Sequence, residues 1–372
     1  MAVRIIYIND TTLRDGEQAP GVSFSELEKI QITEELLQIG VHEIEVGIAQ
    51  TLIWEKRFLT YLQRSEYRDR YGIWCRANRE DIEKALSLGL GTIHISVPVS
   101  DFQLGHMGYS PQWVLDTLEK CIEFVYQHAD QISIGAQDAT RGNRAFLLEM
   151  MSLLNSYNVS RLRFSDTVGI GIPSSIASLA NFLSHHFCGE LDFHGHNDLG
   201  MATANCVSAV ENGVTQLSTT VNGIGERAGN APLEQVAVAV AMGMERDTHI
   251  RLPGLQHLCE AVSMITERPI APDKPIVGAN VFTHESGVHC HGQTKHSLMY
   301  QPFSAETVGR TSKMVIGKHS GSTTVREVFA QMGVDVSRTT ARNLLKHAHT
   351  NAMKIDTSNL LSLLTTSAHQ NN

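Results

Sequence analysis

The chain has 372 residues, 42% of them hydrophobic and 19% charged, with a formal net charge of −9; that is enough apolar material for one large barrel with an appended part, or for two domains. No run of Lys and Arg offers an electrostatic footprint for nucleic acid or an anionic membrane, and nowhere do about 18 apolar residues follow one another as a membrane span requires. The six cysteines form no CxxC pair, and Met1 leads into a strand without an apolar signal core, so a cytoplasmic setting is expected.

Apolar, β-rich runs recur roughly every thirty residues, each followed by an amphipathic stretch of helical period. Strands are expected over 3–8, 42–46, 72–76, 92–97, 131–135, 161–164, 191–193 and 216–221. Behind the first, Ser25 and Glu28 have the spacing of a capping box, with Ile32, Leu36 and Ile39 on one face of the helix that follows. Further helices are expected over 79–88, 111–128, 145–157, 174–185, 203–211 and 232–244. Strand–helix units repeated eight times over residues 1–250 have the size and rhythm of a catalytic (β/α)8 barrel, with a doubly wound sheet as the alternative arrangement. The unusual polar residues favour the barrel, because they follow the strands at 10–18, 45–50, 76–78, 100–109, 137–141, 165–168, 194–198 and 222–230. In a barrel those strand ends converge on one mouth.

After residue 250 the rhythm stops, and Pro253, Pro269, Pro272 and Pro275 punctuate the chain. Residues 251–372 are read as a linker, a lid segment and a small helical subdomain, with a frayed end over 365–372.

His194-Gly-His196 closes the seventh run. Alternate residues of a strand share a face, so the two imidazoles point the same way and make half a metal site, although such a pair can also be a hydrogen-bonded surface feature. A carboxylate from the segment Asp10-Thr-Thr-Leu-Arg14-Asp15-Gly-Glu-Gln18, at the end of the first run, could complete it. The loop over 221–230 follows a strand as a phosphate cradle would, yet lacks GxGxxG spacing. His289-Cys290-His291 has no further soft ligand at zinc-finger spacing.

Five ordered motifs carry a family resemblance: Asp10-Thr-Thr-Leu-Arg-Asp-Gly-Glu-Gln18, Ser165-Asp-Thr-Val-Gly169, His194-Gly-His-Asn-Asp-Leu-Gly200, Asn222-Gly-Ile-Gly-Glu-Arg-Ala-Gly-Asn230 and Ser286-Gly-Val-His289. Together they resemble the acetyl-CoA-dependent Claisen condensing enzymes of the isopropylmalate and homocitrate synthase family, the DRE-TIM metallolyases. The resemblance implies one divalent metal ion (Mg, Mn or Zn) held by Asp15, His194 and His196, with Asn230 in or near its coordination sphere. It implies that Arg14, Gln18 and Thr167 bind a 2-oxo acid, Arg14 and Thr167 through its carboxylate. A cation on the ketone would polarise it and stabilise the developing alkoxide. His289 is the implied base toward the acetyl-CoA methyl group, with Tyr300 as its hydrogen-bonding partner; water then hydrolyses the thioester. The segment after Gly278 is expected over a barrel mouth, that of a partner subunit in a homodimer.

The short tail after Gly321 leaves no space for the regulatory domain of leucine-pathway synthases, and the stretch from Tyr300 to Gly321 resembles the homocitrate synthases of nitrogen fixation. The expected reaction is therefore acetyl-CoA plus 2-oxoglutarate to (R)-homocitrate and CoA, for the nitrogenase iron-molybdenum cofactor. An isopropylmalate or citramalate synthase, a metal-dependent acyl-CoA lyase and an inactive barrel kept for binding are the alternatives. Two positions depart from the family pattern: Gln137 stands where a Glu is usual, and His291 where an Asp is usual, so two carboxylates near the reacting centre are missing. Gln103, His106 and Ser133 are expected to shape the pocket for the 2-oxo acid.

Overall fold

The computed structural model describes residues 5–128 and 131–350. All eight expected strands form, and they close in sequence order into one parallel barrel: β1 (Tyr7–Asp10), β2 (Glu43–Ile48), β3 (Tyr71–Arg76), β4 (Thr92–Pro98), β5 (Ile132–Gln137), β6 (Arg161–Asp166), β7 (Glu190–Gly195) and β8 (Gln216–Thr219). The last strand returns to the first, with Tyr7 opposite Gln216 and Asp10 opposite Thr219. Strand β4 shows how the sequence produces this. Its odd positions Ile93, Ile95 and Val97 are fully buried apolar residues, while the alternate positions His94 and Ser96 line the interior cavity described below; both faces of such a strand are covered.

Helices fill the connections: α1 (Glu26–Ile39), α2 (Ala49–Leu52), α3 (Lys56–Arg64), α4 (Arg79–Leu88), α5 (Asp101–Met107), α6 (Pro111–Tyr126), α7 (Arg144–Ser156), α8 (Pro173–His186), α9 (Ala202–Glu211), α10 (Leu233–Val238) and α11 (Leu255–Ile265). The capping box at α1 forms, with Glu28 N–H donating to Ser25 Oγ at 3.3 Å and Ser25 N–H donating to the Glu28 carboxylate at 2.7 Å. Helix α5 falls where the sequence reading placed only polar connecting residues. Ser100 starts it by accepting the Gln103 N–H, and Gly108, at φ 71°, ends it. Beyond α10 the expected helix loosens into a π-helical turn, Ala239–Gly243. Helix α11, in the proline-punctuated region, packs against α1, and the compact unit containing the barrel runs from Met1 to Ile270.

The second unit, Ala271–Asn372, pairs β9 (Thr283–His284) with β10 (Lys313–Met314) and carries α12 (Gly287–Lys295), α13 (Ser322–Gln331) and α14 (Arg338–Thr350). Its apolar core gathers Val325, Phe329, Val336, Ala341 and Leu344 around Ile316. The expected frayed end, 365–372, lies outside the described residues. Among the described residues no helix is long and apolar enough to cross a membrane.

Candidate active site

Because β7 and β1 both border β8, the ends of the two motif-bearing strands meet at the barrel mouth. Asp15 is fixed there by a turn in which its N–H donates to the Thr11 carbonyl at 2.8 Å. Its Oδ2 lies 3.0 Å from His194 Nε2 and 3.8 Å from His196 Nε2, and all three residues are buried. One ligand atom from each lies within 4.8 Å of the others, the one grouping of this kind among the described residues. Asn230 reaches the same place, because its backbone bridges to His196; its Nδ2 donates to the Ile224 carbonyl at 3.0 Å. Its Oδ1 is buried without a partner. A glycine at 225 permits this approach, since a Cβ there would meet Asn230 Nδ2 at 2.2 Å.

The electrostatics suit a cation. Burial alone would raise the Asp15 acid, but Arg14 and the two histidines hold it well below the usual carboxylate range. Burial, reinforced by His194, pushes the His196 imidazole down to about 4, which leaves it neutral near pH 7 with a lone pair to donate. One carboxylate oxygen, two imidazoles and an orphaned amide oxygen make a donor set that fits a divalent ion.

From Asp15 a chain of charges runs down into the barrel. Arg14 Nη1 donates to Asp15 at 2.7 Å and Arg14 Nε to Glu45 Oε2 at 2.5 Å. The other oxygen of Glu45 accepts from Arg163 Nη1 at 2.8 Å, and Arg163 Nε donates to Asp192 at 2.7 Å. Burial opposes ionisation of Glu45, yet Arg14 and Arg163 hold its acid far below the usual range. The sequence reading placed Glu45 among the polar strand ends without a role, and missed Arg163 and Asp192. Their signal was present in Glu43-Ile-Glu45 and Arg161-Leu-Arg163, where charges alternate with apolar residues and mark the inward face of a strand.

A cavity of about 180 Å³ joins these parts, and the sequence-predicted Gln18, Gln137 and Thr167 line it with Arg14, Asp15 and the two histidines. Thr167 Oγ1 accepts the Asp138 N–H at 2.9 Å, which leaves its hydroxyl hydrogen for a ligand. Asp138, next to Gln137, is committed to the loop itself by Arg141 at 2.7 Å and by Ser100. The expected pocket-shaping residues do not line the cavity. Ser133 sits behind it, bonded to His94 Nδ1 and Arg161 Nε, while His106 is exposed on α5 and turned to the Phe102 carbonyl. Side chains from β3, β4 and β6 take that role instead, among them Trp74, His94, Ser96 and Arg163.

In the second unit the rings of His289 and Tyr300 stack, with centroids 4.4 Å apart and planes at 30°. The expected contact was a hydrogen bond; the one that forms is ring on ring. His284 lies edge-on to His289 at 6.3 Å. Cys290 is buried, with its thiol against the His284 carbonyl at 3.5 Å, so it does not gather its two flanking histidines into a second metal site.

The sequence profile of the HMGL-like family matches residues 5–265, and that of the homocitrate synthase post-HMGL domain-like family matches residues 276–355. A homocitrate synthase from Frankia alni is 40% identical to this chain, over 87% of it and 93% of the relative. A 2-isopropylmalate synthase from Caldanaerobacter subterraneus subsp. tengcongensis is 36% identical, over 94% of this chain and 91% of the relative. The crystal structure of a hydroxymethylglutaryl-CoA lyase from Pseudomonas aeruginosa is similar in fold, with a TM-score of 0.63 at 18% identity over 72% of this chain and 96% of that one.

Proposed function

This chain belongs to the HMGL-like family, in its isopropylmalate and homocitrate synthase branch of acetyl-CoA-dependent, 2-oxo acid condensing enzymes, and from that premise we propose that it is a homocitrate synthase. Its substrates would be acetyl-CoA and 2-oxoglutarate, its products (R)-homocitrate and CoA, and its setting the supply of homocitrate for the nitrogenase iron-molybdenum cofactor, as a homodimer in the cytoplasm. The observation that carries the chemistry is the meeting of Asp15, His194 and His196 in one cavity, with Asn230 bridged to His196 and its side-chain oxygen buried without a partner. Those residues would hold a divalent ion, Mg, Mn or Zn, which when bound supplies Lewis-acid polarisation of a ketone.

The chain's own residues do the rest. Arg14 has its Nε and Nη1 committed to Glu45 and Asp15, so its Nη2 end is what remains to meet the 1-carboxylate of the 2-oxo acid. Thr167 adds its hydroxyl, and Gln18 lines the same wall. His289 serves as the base toward the acetyl methyl group, its ring plane set by stacking on Tyr300. Gln137 lines the cavity with an amide that can position substrate or water by hydrogen bonds but cannot accept a proton.

The homocitrate synthase relative and the matching post-barrel domain support 2-oxoglutarate, while the isopropylmalate synthase relative, nearly as similar, keeps 2-isopropylmalate or citramalate synthesis as the second reading. Following CoA release with acetyl-CoA and a panel of 2-oxo acids tests both: 2-oxoglutarate should give the highest kcat/KM. A higher value for 2-oxoisovalerate or pyruvate would transfer the assignment to the second reading.

A further inference from the structure

A second cavity lies on the outer wall of the barrel unit, between α1 and α3. It measures about 710 Å³, within the roughly 300–1,000 Å³ of sites that take small organic ligands. Glu34 and Leu37 on one wall, and Tyr61 and Arg64 on the other, stand on helices that lead into the starts of β2 and β3. Arg251 completes the lining, its N–H donating to the Ile39 carbonyl at 2.7 Å. Asp15, His194 and His196 gather at the other ends of the strands, so this cavity is no part of the site already described.

Its chemistry is set by arginines without partners. Among the described residues of the barrel unit, every arginine side chain makes a hydrogen bond or an ion pair except Arg57, Arg64, Arg246 and Arg251. Arg57, Arg64 and Arg251 all line this one cavity. Set against the two carboxylates of the lining, Glu34 and Glu66, these three arginines leave one net positive charge, on a chain whose net charge is −9. Neither carboxylate forms an ion pair with them. Guanidiniums gathered without counter-charges repel one another and attract anions, and their planar forks match the oxygens of a phosphate.

Aromatic surface stands beside the charge. Tyr61 and Tyr67 line the cavity, and Tyr67 remains 41% exposed although the Arg70 guanidinium lies over its ring at 5.6 Å. We propose that this cavity binds a nucleoside polyphosphate, with the three arginines on the phosphates and the tyrosine rings against the base. Aromatic rings hold a base by stacking on its flat face, and Glu66 is left to accept a hydrogen bond from an amino group on the base edge. A metabolite with a single carboxylate would engage one guanidinium and leave the others unpaired. A nucleic acid strand needs a continuous basic path, which a chain of net charge −9 with no run of Lys and Arg does not offer.

The test is titration calorimetry of the full, metal-loaded chain with MgATP, in saturating CoA so that the condensation site is already occupied. Wild type should bind one MgATP per chain with a Kd of about 100 μM or tighter. Tripolyphosphate and adenosine should each bind at least about tenfold more weakly, because each offers only one of the two contacts. Arg57→Ala combined with Arg64→Ala should weaken MgATP at least about tenfold. The same variant should keep kcat and KM for CoA release, since both side chains are exposed and neither lines the catalytic cavity. No binding at about 1 mM MgATP, or wild-type affinity in the double variant, would overturn the proposal. Tripolyphosphate binding as tightly as MgATP would overturn the nucleotide assignment and with it the role of the tyrosines.

Discussion

Replacing Glu45 by Gln should weaken both the fold and substrate binding, because this one carboxylate joins two arginines that do different work. Glu45 is 1% exposed and accepts from Arg14 Nε at 2.5 Å and from Arg163 Nη1 at 2.8 Å. An amide of the same shape offers one oxygen and one NH2 group, so one guanidinium must face a donor, and the interior gains an uncompensated positive charge. Breaking a buried pair in this way costs about 3–5 kcal/mol. At about 2–4 °C per kcal/mol for a domain of this size, Tm should fall by roughly 6–20 °C. Arg14 would also lose the brace that turns its Nη2 end to the cavity, so KM for the 2-oxo acid should rise about tenfold or more, with a smaller change in kcat. Thermal melts and steady-state CoA release at equal metal loading measure both effects. A Tm within about 2 °C of wild type and an unchanged KM would refute the reasoning, since the buried chain of charges would then hold nothing in place.

Gln137→Glu places a carboxylate at the cavity wall and should raise kcat at least about tenfold with KM for the 2-oxo acid nearly constant; an unchanged or lower kcat would mean that turnover needs no carboxylate at this position. Burial raises the Asp10 acid from 3.8 to about 7, so its stabilising contribution is complete below about pH 4 and is lost as pH rises through about 7. Wild type should therefore lose stability between about pH 4 and pH 7 relative to Asp10→Asn, whose neutral amide oxygen can still accept the Thr12 N–H; parallel urea midpoints for the two proteins would contradict this. Gly225→Ala would place a Cβ 2.2 Å from Asn230 Nδ2 and push that side chain from its position, so metal affinity should fall about tenfold or more; a titration of stripped protein matching wild type would remove Asn230 from the coordination sphere.

The barrel was legible in the sequence because its strands carry their signal locally. Runs such as Thr92-Ile-His-Ile-Ser-Val alternate in a way that no helix does, and the motif residues follow them at the positions a barrel mouth requires. His194 and His196 were legible for the same reason, being alternate residues at the end of β7. The interior was harder to read, because Glu45 and Arg163 meet across 118 positions of sequence and only barrel closure brings them together. The pocket wall was misread: Gln103, His106 and Ser133 do not line the cavity, and Ser133 is instead bonded to His94 and Arg161. Helix α5 was missed because its seven residues, Asp101–Met107, are too few to show a helical period, and its Ser100 cap and Gly108 stop are what bound it.

Turnover should depend on a metal ion held by Asp15, His194 and His196. Metal content after stripping and reconstitution with Mn or Zn, measured for wild type and for His194→Ala alongside CoA release, tests it most directly. Wild type should hold one ion per chain, lose turnover on chelation and recover it on metal return, and His194→Ala should show neither ion nor activity. Full turnover by stripped wild type, or normal metal affinity in His194→Ala, would contradict it.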